Sequence, residues 1–291
     1  MNKNYSIVKI LKKIGRWMWF CCSNLPILNF PVPFRLPGGT SYLIYPDEIG
    51  LAVLLRRPLE LGEQRFISKF LKRGMTFFDI GANQGLYTLL AAKCVGPDGK
   101  VFAFEPVPSE FRKLKWNVLV NHFHNVTMEQ LTLGCKEGSA NMFVCLDGKG
   151  SYSNLRPPAQ SVRARRKLIQ VHVSTLDSYI YRNNIQHIDF IKIDVEGGKL
   201  DVIKGGSIVF ERLQPIVMCE MADTRTQQWG YNASEIYKFL VEKYGYSWFQ
   251  ITSHGYLVPA KVKERYDPDW ENLLGVPTEK LTEISTFREN I

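Results

Sequence analysis

The chain has 291 residues with 37 basic and 28 acidic side chains, a formal charge of +9, and is 45% hydrophobic and 22% charged. That balance suits one large globular domain, or a domain with an appendage, and no apolar run is long enough to span a bilayer as a helix. The six cysteines lack C-x-x-C spacing and are too few to frame a chain of this length, which predicts reduced thiols in a cytoplasmic protein.

The positive charge is concentrated. Residues 1–46 hold Lys3, Lys9, Lys12, Lys13, Arg16 and Arg35 with no acid, and residues 148–176 hold Lys149, Arg156, Arg163, Arg165, Arg166 and Lys167, again with no acid. Without those twelve, 25 basic residues face 28 acidic ones, so the body of the protein is slightly acidic. In the first stretch Ile7, Ile10, Leu11, Ile14, Trp17 and Met18 share one helical face and Lys9, Lys13 and Arg16 lie opposite. This is the pattern of a basic amphipathic helix, suited either to a membrane interface or to packing on the domain. Pro26, Pro31, Pro33 and Pro37 then mark a linker, so residues 1–46 read as an extension and 47–291 as the main domain.

Tyr42–Tyr45 reads as a strand and Glu60–Leu71 as a short amphipathic helix. The most informative stretch follows: Thr76-Phe-Phe-Asp79-Ile-Gly81-Ala-Asn83-Gln-Gly85-Leu, a buried strand, a glycine-rich turn and a helix carrying Leu86, Leu89 and Leu90. Such a turn points free backbone N–H groups at a ligand at the carboxyl end of a sheet, and Gly81 and Gly85 leave room for close approach. A dinucleotide fingerprint is excluded, because Asn83 stands where the middle glycine would be, and no Gly-Lys-Ser/Thr phosphate loop follows. The acid Asp79 at the strand end would repel a pyrophosphate and suits a cationic, phosphate-free ligand, such as the sulfonium and ammonium of S-adenosylmethionine.

A second strand, Lys100–Phe104, ends in Glu105-Pro106, at the distance from the glycine turn where an acid receives ribose hydroxyls. The next helix reads as Ser109–Asn121, with Ser109 as N-cap and Phe111, Leu114 and Val118 inward. A third strand, Asn125–Gln130, places Gln130 at its carboxyl end, either against an adenine edge or in solvent. Strand–helix alternation then breaks: Ala140–Cys145 and Ile169–Val173 read as two strands of a hairpin-type insertion around a long basic excursion. Arg163, Arg165 and Arg166 there are either grips for an anionic substrate or a solvated charge run. His172 faces solvent or the cleft.

In Ile188-Asp-Phe-Ile-Lys192-Ile-Asp194-Val-Glu196-Gly197, alternation puts Lys192, Asp194 and Glu196 on one side of a central strand. Three charges there are costly unless paired or working. Asp194 is the first candidate for a general base and Glu196 the second, since a carboxylate in a closed cleft can have a raised pKa. Lys192 as an ion-pair partner is the structural alternative. The carboxylates Asp194, Glu196 and Glu220 do not by themselves define a metal site. Pro215–Glu220 is a further strand, Ala233–Tyr244 a helix, and Trp248–Thr252 and Tyr256–Val258 can close the sheet.

Asp79-Ile-Gly-Ala-Asn-Gln-Gly85, Phe102-Ala-Phe-Glu-Pro106, Thr175-Leu-Asp177 and Asp189-Phe-Ile-Lys-Ile-Asp-Val-Glu-Gly197, in that order, resemble the FkbM-type methyltransferases over roughly residues 70–250. The resemblance implies a class I, Rossmann-like α/β fold with a seven-stranded, mainly parallel sheet and helices on both faces. It implies S-adenosylmethionine as cofactor, held by Asp79, Gly81, Asn83, Gly85 and Glu105, and O-methylation of a hydroxylated acceptor such as a sugar, glycan, lipid or secondary metabolite. Lys199 departs from the family pattern, which often has an acid shortly after the Glu-Gly pair. Two other classes compete. An RNA-modifying enzyme would use the basic stretches, but the chain has neither an Asp/Asn-Pro-Pro-aromatic tetrad nor a Pro-Cys pair. A non-catalytic protein retaining the cofactor fold would bind the cofactor without turnover.

Overall fold

The computed structural model describes residues 31–36, 38–45, 47–54, 60–146, 153–157, 165–266 and 270–289. The amphipathic segment 7–18 and Arg163 lie outside the described residues. No described helix is long and apolar enough to cross a membrane.

The chain opens with a ribbon of β1 (Val32–Arg35) and β2 (Ser41–Ile44), then α1 (Glu48–Leu54) and α2 (Leu61–Phe70). There follow β3 (Thr76–Ile80), α3 (Leu86–Val95), β4 (Lys100–Phe104), α4 (Pro108–Val120) and β5 (Val126–Glu129). The insertion comprises β6 (Thr132–Leu133), β7 (Gly138–Cys145) and β8 (Arg166–Ser174). After it come α5 (Leu176–Arg182), β9 (Phe190–Ile193), α6 (Lys199–Lys204), β10 (Ile216–Met221), α7 (Asp223–Thr226) and α8 (Ser234–Tyr244). The last strands are β11 (Tyr246–Ile251), β12 (Leu257–Pro259) and β13 (Glu271–Pro277), before a closing 3-10 segment, Thr278–Phe287.

The main sheet runs β12-β11-β13-β10-β9-β3-β4-β5. From β10 to β5 neighbouring strands are parallel, while β13 is antiparallel to both β10 and β11. The expected seven strands are present, and β12 adds an eighth at the edge. Strand β13, which the sequence pattern does not announce, enters between β10 and β11.

Alternation on the central strands builds two core layers. Phe78, Ile80, Ile191 and Ile193 pack with Leu176, Ile203 and Leu240 of α5, α6 and α8 on one face. Phe77 and Phe190 pack with Phe66, Phe70 and Ala91 of α2 and α3 on the other, with the Phe77 and Phe190 rings stacked at 5.4 Å.

The β1–β2 ribbon, assigned from sequence to the extension, packs on the domain. Asn117 of α4 and Asn121 just past its end accept from the Leu43 and Ser41 N–H groups at 2.7 and 2.8 Å, and Tyr42 donates to Gln84 of the glycine turn at 3.0 Å. The start of α4 also differs from expectation. Pro108 occupies its first turn behind Val107, and Ser109 donates to Glu110 at 3.2 Å instead of capping the helix. Proline needs no N–H partner at that position, so the helix begins without a side-chain cap.

Candidate active site

The glycine turn from β3 to α3 sits at the carboxyl end of the sheet. Asp79 is buried, and its Oδ2 accepts from Thr88 Oγ1 at 2.6 Å. Burial raises its pKa; the facing Lys192 and the Thr88 bonds oppose that shift. Its Oδ1 is buried with no hydrogen-bond partner. Asn83 takes a left-handed conformation (φ 51°) and donates its backbone N–H to Glu105 Oε2 at 2.8 Å, while its own Oδ1 is also buried without a partner.

The two glycines have different reasons from the one expected. A Cβ on Gly81 (φ +84°) would lie 2.2 Å from the Asp194 carbonyl oxygen, and one on Gly85 (φ +92°) 2.6 Å from Leu114 Cδ1. Their missing side chains admit the end of β9 and helix α4. Only Gly81 of the two lines the cavity described below.

Glu105 follows β4 and accepts N–H groups from Val107 and Asn83, both at 2.8 Å. Burial outweighs those bonds and pushes its pKa up to about 8. Gln130 stands one residue past β5, exposed, in a surface groove with Phe111 and Met128 that is separate from the cavity. Thr132, two residues further, lines the cavity instead.

The acidic end is organised by two lysines. Lys192 is buried on β9, opposite Asp79 in the parallel register, and its Nζ lies 2.8 Å from Asp194 Oδ2 and 4.7 Å from the Tyr87 ring centroid. Asp194 itself is open to the cavity, with 42% of its side chain exposed. Burial works upward on its carboxyl, but Lys192, Lys199 and Arg225 outweigh it and hold its pKa below the ordinary value. The sequence-based argument for Asp194 as base relied on a raised pKa; the adjacent ammonium reverses that direction.

Glu196 carries the shift instead. Burial pushes it up to about 7, against the pull of Arg225, whose Nε lies 3.2 Å from Oε2. Lys199 opens α6 fully buried, donating to Val195 O and Glu220 Oε2, both at 2.9 Å. Burial lowers its pKa, but Glu220, Cys219, Asp194 and Glu196 together raise it above the ordinary value, so it is an internal ammonium. Among the described residues no cluster of three His, Cys, Asp or Glu side chains is set to hold a metal ion.

Between the glycine turn and the insertion lies a cavity of about 480 Å³. Gly81, Asn83 and Glu105 line one side, Asp194 and Glu196 the floor, and β7 with Asn154, Arg156 and Trp229 the other side. Its volume is in the range of small-molecule sites. Arg165 and Arg166, exposed at the start of β8, do not line it. His172 is exposed on β8. Asp177 is not at the cavity either: it accepts from the Ile208 and Val209 N–H groups at 3.0 and 3.1 Å, capping the turn after α6.

Asn83, whose buried Oδ1 has no partner among the described residues, and the acid Glu105 line the cavity and suit a ligand with vicinal hydroxyls, whereas Asp79, whose Oδ1 is likewise unsatisfied, is buried and does not line it. The chain matches the family model described as the methyltransferase FkbM domain over residues 79–248, well over half its length. The chain belongs to the FkbM methyltransferase family. The methyl donor of this family is S-adenosylmethionine, and the acceptor oxygens of Asn83 and Glu105 at the cavity fit its hydroxyls. "Methyltransferase 1" of Beauveria bassiana is 25% identical over 162 residues, which are 50% of this chain and 64% of that relative. An FkbM methyltransferase structure from Methylobacillus flagellatus matches 78% of this chain and 52% of its own at 13% identity, TM-score 0.46. The O-methyltransferase TomG of Streptomyces achromogenes, solved with SAM, matches 75% and 79% at 10% identity, TM-score 0.43. The chain therefore spans less than two thirds of the first relatives it matches.

Proposed function

We propose that this FkbM-family protein transfers a methyl group from S-adenosylmethionine to a hydroxyl oxygen of a sugar, glycan, lipid or secondary metabolite, with Glu196 as general base. The carrying observation is a carboxyl raised to about 7 at the floor of the cavity beside the glycine turn. Bound there, the cofactor supplies an electrophilic methyl on a sulfonium, so the protein has to position the acceptor and take its proton. Asp79 would hold the amino group, Asn83 and Glu105 the ribose end. Arg225 grips Glu196 Oε2, and Glu196 lines the cavity, where its carboxylate would accept the hydroxyl proton as oxygen attacks carbon. A base with a pKa near the working pH combines a useful ionised fraction with useful basicity. Asp194, held ionised by Lys192, orients the acceptor through hydrogen bonds and keeps negative charge near the sulfonium.

The test is methyl transfer from labelled cofactor to a panel of hydroxylated acceptors. Glu196→Gln should lower turnover by about 10²–10⁴-fold with cofactor affinity unchanged, whereas Asp194→Asn should cost less. In the wild type the rate should rise with pH through about 7, as Glu196 loses its proton. A flat profile between pH 6 and 8, or full activity in Glu196→Gln, would remove the base. Cofactor binding with no transfer to any acceptor would favour the non-catalytic alternative.

A further inference from the structure

We infer that the cavity selects an acceptor bearing an oxyanion, a carboxylate or a phosphate, besides the methylated hydroxyl, and that Arg156 pairs with it. This rests on the reading of the cavity as the methyl-transfer site.

The segment 153–157 that carries Arg156 is pinned to the insertion. Asn154 exchanges both backbone hydrogen bonds with Phe143 of β7, at 2.8 and 3.0 Å, and Ser153 Oγ accepts from the Cys145 N–H at 3.2 Å. The Asn154 side-chain oxygen accepts from the Arg156 N–H at 3.0 Å and from Trp229 Nε1 at 3.3 Å. The guanidinium stacks over the Trp229 ring, 5.2 Å from its centroid.

Trp229 is itself fixed. A Cβ on Gly197 would lie 2.4 Å from its Cδ1 and one on Gly198 3.0 Å from its Cη2, so the indole is seated directly on the two glycines. Its Nε1 also donates to the Glu196 carbonyl at 3.1 Å. Gly197 and Gly198 thus form a seat for a ring that supports Arg156.

Stacking occupies the face of a guanidinium and leaves its edge donors free for a planar or tetrahedral oxyanion. Among the described residues no carboxylate pairs with Arg156, whereas the nearby acid Glu137 is taken by Arg182 at 2.9 Å. An arginine lining a cavity, preorganised and without an anionic partner among the described residues, is arranged for an incoming anion. Lys136 lines the same cavity and adds charge of the same sign. Arg156 and Glu196 line the same cavity, so a sugar whose hydroxyl reaches Glu196 can present an anion to Arg156. A uronic acid or a hexose phosphate carries such an anion, and a neutral hexose lacks it.

The experiment titrates glucuronate, glucose 6-phosphate and glucose into protein saturated with S-adenosylhomocysteine, followed by ligand-observed NMR. It is repeated with Arg156→Gln and Arg156→Lys. At least one anionic sugar should bind about tenfold or more tightly than glucose, and Arg156→Gln should erase that preference while Arg156→Lys keeps part of it. Glucuronate alone would assign a carboxylate, glucose 6-phosphate alone a phosphate. Equal binding of all three sugars, binding of none, or an undiminished preference in Arg156→Gln would overturn the inference. Arg156 is exposed, so the variants should melt with the wild type. Calorimetry with S-adenosylhomocysteine on the same samples separates the two readings: loss there refutes the cofactor site, while retention with no sugar preference refutes only the role of Arg156.

Discussion

Replacing Lys199 by methionine keeps an unbranched stem in place and removes the buried ammonium. Its partner Glu220, with 16% of its side chain exposed, would keep a carboxylate that had lost its 2.9 Å ion pair, and Val195 O would lose its donor. Removing one member of such a buried pair costs about 3–5 kcal/mol, because the remaining charge is left uncompensated. The double variant Lys199→Met/Glu220→Leu, which removes both charges, should recover much of that loss. The cycle then reports the coupling between the two groups. Lys199 has a folded pKa raised above its ordinary 10.5, so its contribution is complete below that value and is lost only as pH rises beyond it. The deficit of the single variant should therefore be constant across neutral pH. Lys199 also pulls the Glu196 pKa down, so the variant's activity profile should move to higher pH. Urea denaturation at pH 7 and 8 with the four proteins of the cycle measures the first effect, and methyl transfer against pH the second. A single variant within about 0.5 kcal/mol of wild type would show that the ammonium is not holding this end of the sheet together.

Asp79→Ala and Glu105→Ala should each weaken S-adenosylhomocysteine binding by tenfold or more in calorimetry while the protein stays folded; unchanged affinity in both would remove the cofactor assignment. If the basic amphipathic segment 7–18 lies in a membrane interface, the protein should bind anionic vesicles in a salt-sensitive way, and deleting residues 1–30 should abolish that binding and leave cofactor affinity intact. A truncated protein that fails to fold would instead show that the segment packs on the domain.

The parts of the fold that were legible in sequence are those whose signal is local. Phe77, Phe78, Ile191 and Ile193 advertise buried parallel strands, and the acids and glycines at their ends mark the carboxyl edge of the sheet. The residue pair Asp194 and Glu196 could be read as a candidate, but not which member has the raised pKa. That depends on Lys192 at 2.8 Å and on Arg225, which arrives from α7. Sequence left Gln130 open between an adenine edge and solvent; one residue beyond β5 it lies exposed in a different groove, and Thr132 takes the cavity wall. Trp229 and Arg156 have no periodicity to betray them; the only hint was the Gly197-Gly198 pair, which looks like a turn until the indole is seen resting on it. Strand β13 was invisible for a topological reason. Nothing in Glu271–Pro277 announces that it belongs between two strands that precede it in the chain.

That placement sets an order of events during synthesis. Until β13 leaves the ribosome, β10 and β11 each present an open row of backbone donors and acceptors, and the sheet is split into a parallel part and a two-stranded fragment. The glycine turn, Glu105 and the Lys192–Asp194 pair all reside in the first part and can assemble early, while closure waits for a strand more than two hundred residues after the start. Gly275 sits at the centre of the closure, where a Cβ would come within 3.2 and 3.3 Å of the Tyr246 and Trp248 rings, so the last strand enters along a track in which a larger residue would crowd those rings. A nascent chain stalled before that point would carry a nearly complete cofactor cradle beside two strand edges open to self-association.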